Sequence, residues 1–403
     1  MRAAVVAVGD ELLDGRVTDT NSSMLAGKLS QLGVEVVLAQ VIGDSLDAVV
    51  RGIRDAVELA DVVLVTGGIG PTADDRTREA LAVLTGRVLV EDAASWAAIR
   101  AIFDSRGLEV PESNRQQALC PEGATVLVNH TGTAPGFCVD IDDVRVFVMP
   151  GVPSEARRMF DDEVAPQLDV GSTSHTETLC FGGVSESLLG GMLQRYLSEG
   201  GAVRVGITSS WGLLRVTARA DTKRALDDVI SEIRSAGKRW FVGTGYRELE
   251  DLVAERAIAS ATTLAVAESL TAGLATARLG RVAGISSVLL EGVVTYSNAS
   301  KTSRLGVSEQ TLSEHGAVSE QCAREMAEGL ARTSDAGLAA SATGIAGPSG
   351  GSDAKPVGLV WLATTLDGTT ETRERRYGPV GRDIIRNRAA SDLLLMMLQR
   401  LLP

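Results

Sequence analysis

The stretch DVVLVTGGIGPTADDRT (residues 61–77) decides the fold of the first part of this chain. Its apolar run, Val62 to Val65, has no polar alternation and stops at Thr66-Gly67-Gly68; a helical pattern resumes after Asp74 and Asp75. An unbroken apolar run of strand length reads as a strand buried on both faces, which calls for helices on both sides of a parallel sheet. The upstream sequence repeats this grammar. AAVVAV (3–8) is a strand, and NSSMLAGKLSQLG (21–33) sets Met24, Leu25, Leu29 and Leu32 at helical spacing. VEVVLAQVIG (34–43) is strand again, and DSLDAVVRGIRDAVELA (44–60) is an amphipathic helix with Asp44 and Asp47 expected as its capping pair. Residues 1–168 are therefore expected to form a doubly wound α/β domain. Its ligands would bind at the carboxyl ends of the strands, where GDELL and TGGIGPTADD fall.

The next segment, 170–247, changes character. LLGGMLQRYLSEGG (188–201) reads as helix, AVRVGITSS and GLLRVTARA as two strands joined through Ser210-Trp211, and TKRALDDVISEIRSAG as a helix. A small α+β module is expected. Residues 248–403 return to strand–helix alternation, through TTLAVAES, LTAGLATARLG, SVLLEGVVTYS, SEQCAREMAEGLA, AGLAASATG and PVGLVWLATT. That predicts a second α/β domain.

Composition narrows the function classes. At 403 residues the chain exceeds one ordinary core. A net charge of −13 argues against a nucleic-acid surface, which needs basic patches. It leaves anionic small ligands open, because backbone N–H groups bind phosphate whatever the overall charge. The four cysteines (120, 138, 180, 322) show no CxxC or CxxH spacing, so free thiols in a reducing cytoplasm are expected. MRAAVVAVGDELL reads as a first strand and not a signal peptide, and no stretch approaches membrane-spanning length.

In the 66–77 loop, Gly67, Gly68 and Gly70 allow close backbone approach to a ligand, and Thr72 is expected to cap the following helix. The loop lacks GxxxxGK[ST] and is not a P-loop. Asp74 and Asp75 suit a helix dipole. With Asp10 and Glu11 at a neighbouring strand end, they also suit a divalent metal beside a phosphorylated ligand. GDELLDGRVTDTN (9–21), TGGIGPTADDRT (66–77), the Asn-Arg-Gln-Gln-Ala run (114–118), NHTGTAPGF (129–137) and MPGVPSEA (149–156) together resemble the molybdopterin-binding-like (MoCF) domain that opens CinA (competence/damage-inducible) proteins. The resemblance implies metal-dependent hydrolysis of ADP-ribose, with Asp10, Glu11 and Asp75 on a divalent metal and Gly67, Gly68, Gly70 and Thr72 near phosphate. The middle module resembles the KH-type segment of the same family. It has no GxxG loop between its helices, so it reads as a packing module.

In the last segment, TTLAVAES (262–269) is a strand ending at Glu268-Ser269 with a helix behind it. Ser269 suits either a helix N-cap or a nucleophile exposed on a strand-to-helix turn, although GxSxG is absent. His130 and His175 lie in other segments and His315 reads as an exposed turn, so a Ser–His–Asp triad is poorly supplied. A lysine of lowered pKa is the remaining common base. VVTYSNASK (293–301) offers Tyr296 at a strand end and Lys301 in the loop after it. ATGIAGPSGG (342–351) offers Thr343 and the N–H groups of Gly344 to Gly347 to a phosphate or oxyanion, with a plain tight turn as the alternative. GRDIIRNR (381–388) sets Arg382 and Arg386 on one helix face, either as an anion clamp or as ordinary charged surface.

AES (267–269), Gly-Ile-Ser-Ser (284–287), YSNASK, GAVS (316–319), GIAGPSGG and KPVG (355–358), in this order, resemble the CinA C-terminal domain, the nicotinamide-nucleotide amidase family. The resemblance implies hydrolysis of nicotinamide mononucleotide to nicotinic acid mononucleotide and ammonia without a cofactor. Ser269 would be the nucleophile, and Lys301 and Tyr296 would manage protons. Glu268, Ser286, Thr343, Gly344, Gly347 and Arg382 would hold substrate. Leu270 and Ala272 stand where the family commonly has cysteine and glycine, and Ala283 where it has proline. A cytoplasmic homodimer acting on small nucleotides is the implied setting, without nucleic-acid or membrane partners. Two alternatives stay open: an enzyme whose main activity is cleavage of NAD-like pyrophosphates by the N-terminal domain, and a non-enzymatic adaptor in DNA uptake or repair.

Overall fold

The computed structural model describes residues 1–168, 175–197 and 203–402. The chain divides into two compact units, Met1–Ser174 and His175–Pro403.

The first unit is built on β1 (Arg2–Val8), α1 (Asp10–Leu13), α2 (Asn21–Gln31), β2 (Glu35–Ile42), α3 (Leu46–Leu59) and β3 (Val62–Thr66). It continues with α4 (Thr77–Thr85), β4 (Leu89–Glu91), α5 (Ala93–Ser105), β5 (Leu119–Pro121), β6 (Thr125–Leu127), β7 (Gly136–Ile141), β8 (Val144–Met149) and α6 (Pro153–Met159). The main sheet has the order β2-β1-β3-β8-β7-β6, and β4 pairs with β5 as a separate ribbon. The β1 side chains alternate between two cores: Ala4, Val6 and Val8 join one, Ala3 and Val5 the other. Burial on both faces is what the unbroken apolar runs required. The expectation of a parallel sheet holds for β2-β1-β3-β8, while β7 and β6 close it antiparallel.

Two capping expectations are corrected. Ser45, not the pair Asp44 and Asp47, caps α3 and accepts from the Ala48 N–H at 3.3 Å. Thr72 caps no helix: α4 begins five residues later, and the Thr72 N–H donates to Asp75 Oδ2 at 2.9 Å.

The second unit opens with β9 (His175–Gly182), α7 (Glu186–Leu193), β10 (Val203–Ser210), β11 (Leu213–Ala220), α8 (Lys223–Ala236) and β12 (Phe241–Thr244). Their antiparallel sheet has the order β10-β11-β9-β12. The helix expected over 188–201 is present only in its first part: α7 ends at Leu193, a 3-10 turn follows over Gln194–Tyr196, and residues 198–201 lie outside the described residues. The unit goes on through α9 (Leu249–Ala259), β13 (Leu264–Glu268), α10 (Leu274–Leu279), β14 (Leu289–Val294), α11 (Asn298–Leu305), α12 (Glu309–Glu314) and α13 (Glu320–Ser334). It ends with β15 (Leu338–Gly344), β16 (Leu359–Leu366), β17 (Thr369–Arg376) and α14 (Arg382–Leu401). The second sheet has the order β14-β13-β15-β16-β17, parallel over its first three strands. Leu264 and Val266 pack towards α9 and α14, Ala265 and Ala267 towards α11 and α13. Cys180 and Leu213 of the antiparallel module belong to the core that α14 covers, so the module packs on this domain. Among the described residues no helix is long and apolar enough to cross a membrane.

One glycine fixes a crossing that matters below. At Gly329 of α13 a Cβ would lie 1.8 Å from the Leu305 carbonyl oxygen, at the end of α11. Only a residue without a side chain lets the two helices meet there. Gly329→Ala is expected to destabilise the second unit by about 1–3 kcal/mol, the usual range for overpacking. An unchanged denaturant midpoint would show that α11 has room to shift.

Candidate active site

Ser269 follows the last residue of β13, and its N–H donates to the Ala342 carbonyl of β15 at 3.0 Å. The chain then turns sharply, with Ala272 and Gly273 in the left-handed region (φ 51° and 90°) and the Ala272 N–H donating back to Ser269 O. Helix α10 starts only at Leu274, with Gly273 as its cap. Ser269 is therefore not a helix cap. That task falls to Glu268, which is fully buried. Oε1 accepts from the Thr276 N–H (2.8 Å) and hydroxyl (2.7 Å), and Oε2 from the Ala275 N–H (3.2 Å). With both oxygens on the helix N-terminus, Glu268 is a structural carboxylate, against the expectation of substrate binding. Leu270 is buried in the core, where it fills packing space.

Lys301 lies inside α11, not in a loop, because Ser297 caps that helix immediately after the strand end. The lysine is 1% exposed. Its Nζ lies 3.0 Å from Ser269 Oγ, 2.8 Å from the Thr295 carbonyl and 3.4 Å from the Tyr296 carbonyl. Burial holds the amine below the ordinary lysine value, and among the described residues no carboxylate pairs with it. Cys322 is buried nearby, and burial pushes its thiol up to about 11, which makes it a packing residue. His315 is exposed, as expected of a turn.

The other predicted residues divide. Thr343, one residue beyond Ala342, is buried and its hydroxyl donates to the Ala317 carbonyl at 2.7 Å, tying GAVS to the same sheet edge. Gly344 pairs with Val360, and a Cβ on it would lie 2.7 Å from Leu359 O; the Ile345 N–H is also committed. The N–H groups of Ala346 and Gly347 have no acceptor among the described residues. Arg382 donates to the Gly347 carbonyl at 2.9 Å and to the Tyr296 hydroxyl at 2.8 Å, so the tyrosine ring tip meets the arginine. Ser286 is not brought to this site. It precedes β14, and the parallel register Leu264↔Leu289, Glu268↔Val294 puts it at the opposite end of the sheet from Ser269. Sequence reasoning missed the Thr295 and Tyr296 carbonyls, which carry no residue-type signal. Nor did it foresee that Arg386 donates to the Thr271 carbonyl at 3.0 Å, bracing the turn after Ser269.

In the first unit a cleft of about 500 Å³ opens at the carboxyl ends of β1 and β3. Gly67, Gly68, Gly70 and Thr72 line it, with Glu11, Asp44 and Asp75. Asp10 does not line it: its Oδ1 accepts from the Asp44 N–H (3.2 Å), while its own N–H donates to Asp44 Oδ2 (2.8 Å). Partial burial raises Asp44 above the usual carboxylate range, and repulsion from Asp10, Glu11 and Asp74 adds to this against the bond from Asp10. Asp75 Oδ2 is engaged by both the N–H and the hydroxyl of Thr72. Among the described residues no three His, Cys, Asp or Glu side chains converge on a point suited to a metal ion. The set Asp10, Glu11 and Asp75 thus does not fit the divalent metal expected of it.

Residues 246–401 match the family described as the CinA C-terminal domain, and residues 4–170 the probable molybdopterin binding domain. A CinA-like protein of Kosmotoga olearia is 37% identical, with both chains covered in full. A putative competence-damage inducible protein of Alkaliphilus oremlandii is 36% identical over all of this chain and 99% of its own. The chain belongs to the CinA family. Among solved structures, the competence/damage inducible protein CihA of Agrobacterium tumefaciens is 41% identical over 38% of this chain and 97% of its own, with a TM-score of 0.37.

Within this CinA-family chain, Ala272 holds a left-handed backbone that favours glycine. The conformation costs an alanine roughly 1–2 kcal/mol, and the entropy of a glycine returns about 0.5–1 of it. Ala272→Gly should therefore raise stability by about 0.5–1 kcal/mol. The denaturant midpoint measures it, and a fall would mean that the turn is not strained.

Proposed function

We propose that the C-terminal domain hydrolyses the carboxamide of a nicotinamide nucleotide, giving nicotinic acid mononucleotide and ammonia from nicotinamide mononucleotide. One observation carries this reading: a buried lysine amine without a carboxylate partner among the described residues, 3.0 Å from a strand-end serine hydroxyl. As a neutral amine, Lys301 donates its two N–H groups to the Thr295 and Tyr296 carbonyls and turns its lone pair to Ser269. Ser269 Oγ attacks the carboxamide carbon while Lys301 takes the hydroxyl proton. Collapse of the tetrahedral adduct breaks the C–N bond; Lys301 returns the proton to nitrogen, and ammonia leaves. Water then attacks the acyl ester with Lys301 again as base, releasing the acid and Ser269. The N–H groups of Ala346 and Gly347 and the Arg382 guanidinium supply anion donors at the same sheet edge, which suits a substrate with a phosphate. The CinA resemblance supplies the nicotinamide ring.

The first unit supports a second reading, a cleft for a phosphorylated ligand. The favouring observation is a run of three backbone N–H groups, Gly68, Ile69 and Gly70, with no acceptor among the described residues. Family resemblance makes ADP-ribose the first ligand to test. Among the described residues, the cleft's carboxylates do not converge on a metal site.

The amidase reading is tested by ammonia release from nicotinamide mononucleotide. Ser269→Ala and Lys301→Met are each expected to lower kcat by about 10²–10⁴-fold. Unchanged release in Ser269→Ala removes the nucleophile assignment, and no release by the wild type favours the adaptor. The pH profile gives a separate check. The active form is the neutral amine, so kcat/KM rises with pH and levels off above the lysine's own pKa. Burial lowers that pKa, so the half-maximal point should lie below about 10.4. A half-point at the ordinary lysine value would show that Lys301 is not the base.

A further inference from the structure

The cleft of the first unit presents an electrostatic problem. Carboxylates line it, and among its lining residues there is no Lys, Arg or His. A phosphate placed there would meet repulsion unless positive charge reaches it from elsewhere.

Arg78 is that charge. It lies in the first turn of α4, 3% exposed, directly behind the glycine loop. Its guanidinium donates to the Ile69 carbonyl, to the Gly70 carbonyl (3.4 Å) and to the Gln117 carbonyl (3.4 Å). Its Nε is buried without a hydrogen-bond partner, and burial lowers its pKa to about 10. An arginine whose hydrogen bonds all go to carbonyls is costly to bury, and the backbone dipoles and the nearby Asp75 charge offset that cost only in part.

The loop's geometry shows where this charge is felt. Thr77 Oγ donates to the Gly67 carbonyl (3.0 Å) and Thr77 N–H to the Gly68 carbonyl (3.0 Å); Gln116 donates to those of Gly70 (3.2 Å) and Thr72 (2.8 Å). The loop's carbonyls are thus held from the protein side. In a trans peptide the N–H points opposite to the C=O of the same plane. Tethering the carbonyls of Gly67, Gly68 and Ile69 therefore turns the N–H groups of Gly68, Ile69 and Gly70 away from the protein, towards the cleft. Arg78 grips the Ile69 carbonyl and so polarises the peptide whose N–H belongs to Gly70.

We propose that Arg78 is a positioning residue for an anionic, phosphate-type ligand in the N-terminal cleft. It acts through the Ile69–Gly70 peptide and supplies the positive potential that the lining side chains lack. This rests on the reading of the cleft as a phosphate-ligand site.

The test is calorimetric titration of the full-length protein with ADP-ribose, using wild type, Arg78→Met and Arg78→Lys. Folding is checked by thermal melting and by the untouched C-terminal ammonia release. The expected result is at least tenfold weaker binding in Arg78→Met, with Arg78→Lys within about threefold of wild type because the charge is kept. A merely structural role would not be rescued by lysine, whose point-like ammonium cannot reproduce the guanidinium fork. Equal binding in wild type and Arg78→Met overturns the role of Arg78 and leaves the cleft reading standing. A lysine variant that binds at least tenfold more weakly than wild type also overturns it, and this comparison decides the matter if Arg78→Met does not fold. Wild-type protein that does not bind ADP-ribose overturns the cleft reading and this inference with it.

Discussion

The candidate site of the second unit is organised around one unusual arrangement, a lysine amine buried against two carbonyls and a serine hydroxyl in place of a carboxylate. A carboxylate at that distance would keep the amine charged and unable to accept a proton. Carbonyl dipoles satisfy N–H donors without demanding the full positive charge. Holding this arrangement takes several elements at once. The Thr295 N–H donates to the Glu268 carbonyl (2.8 Å), aligning the ends of β13 and β14; the Ser297 cap starts α11 there; Gly329 lets α13 close over it. Glu268 belongs to the same construction, because its carboxylate fixes the helix that follows the Ser269 turn.

Both units place their candidate sites at the carboxyl ends of parallel strands, and the reason is shared. Parallel strands deliver their following loops to one edge, where the next helix has yet to begin and N–H groups remain unclaimed. In the first unit the glycine loop leaves Gly68, Ile69 and Gly70 unclaimed; in the second the loop after β15 leaves Ala346 and Gly347. The two edges differ in where cations stand. Arg382 sits among the groups of the second site, whereas Arg78 is buried behind the first.

The strands and their α/β order were legible because burial on both faces writes an uninterrupted apolar run. The same property hid the antiparallel closure of the first sheet. Phe137 to Val139 is buried on both faces like a parallel strand, so hydropathy carries no directional signal there. Asp44 and Ser45 are both good caps, and the choice between them depends on Asp44 being engaged by Asp10, a contact 34 residues away. Lys301 read as loop because NASKTSRL is rich in Ser, Thr and Asn; the Ser297 cap and packing on α13 outweigh that weak propensity. Adjacency in sequence misled at Glu268, whose side chain lies on the opposite side of the strand end from its neighbour's chemistry. Order along the chain said nothing of Ser286, which the return path through α10 carries to the far edge. Asp10 and Glu11 lie in α1 and Asp75 in the glycine loop, at the expected strand ends, but hydrogen bonds to Asp44 and Thr72 hold two of them apart from a common point.

Those carboxylates still bear on what the N-terminal cleft selects. A wall of acceptors repels bare phosphate yet accepts well from hydroxyl groups, since an ionised carboxylate has only lone pairs to offer. The N–H groups of Gly68, Ile69 and Gly70, which also line the cleft, offer only donors. On the reading of the cleft as a phosphate-ligand site, a ligand that joins phosphate to a hydroxyl-rich sugar would satisfy both the N–H donors and the carboxylate acceptors. Inorganic phosphate leaves the carboxylate side unmatched, and a plain sugar leaves the N–H groups unmatched. On that reading, the cleft's acidity would act as a filter on ligand type, with the repulsion of the phosphate offset from the glycine-loop side.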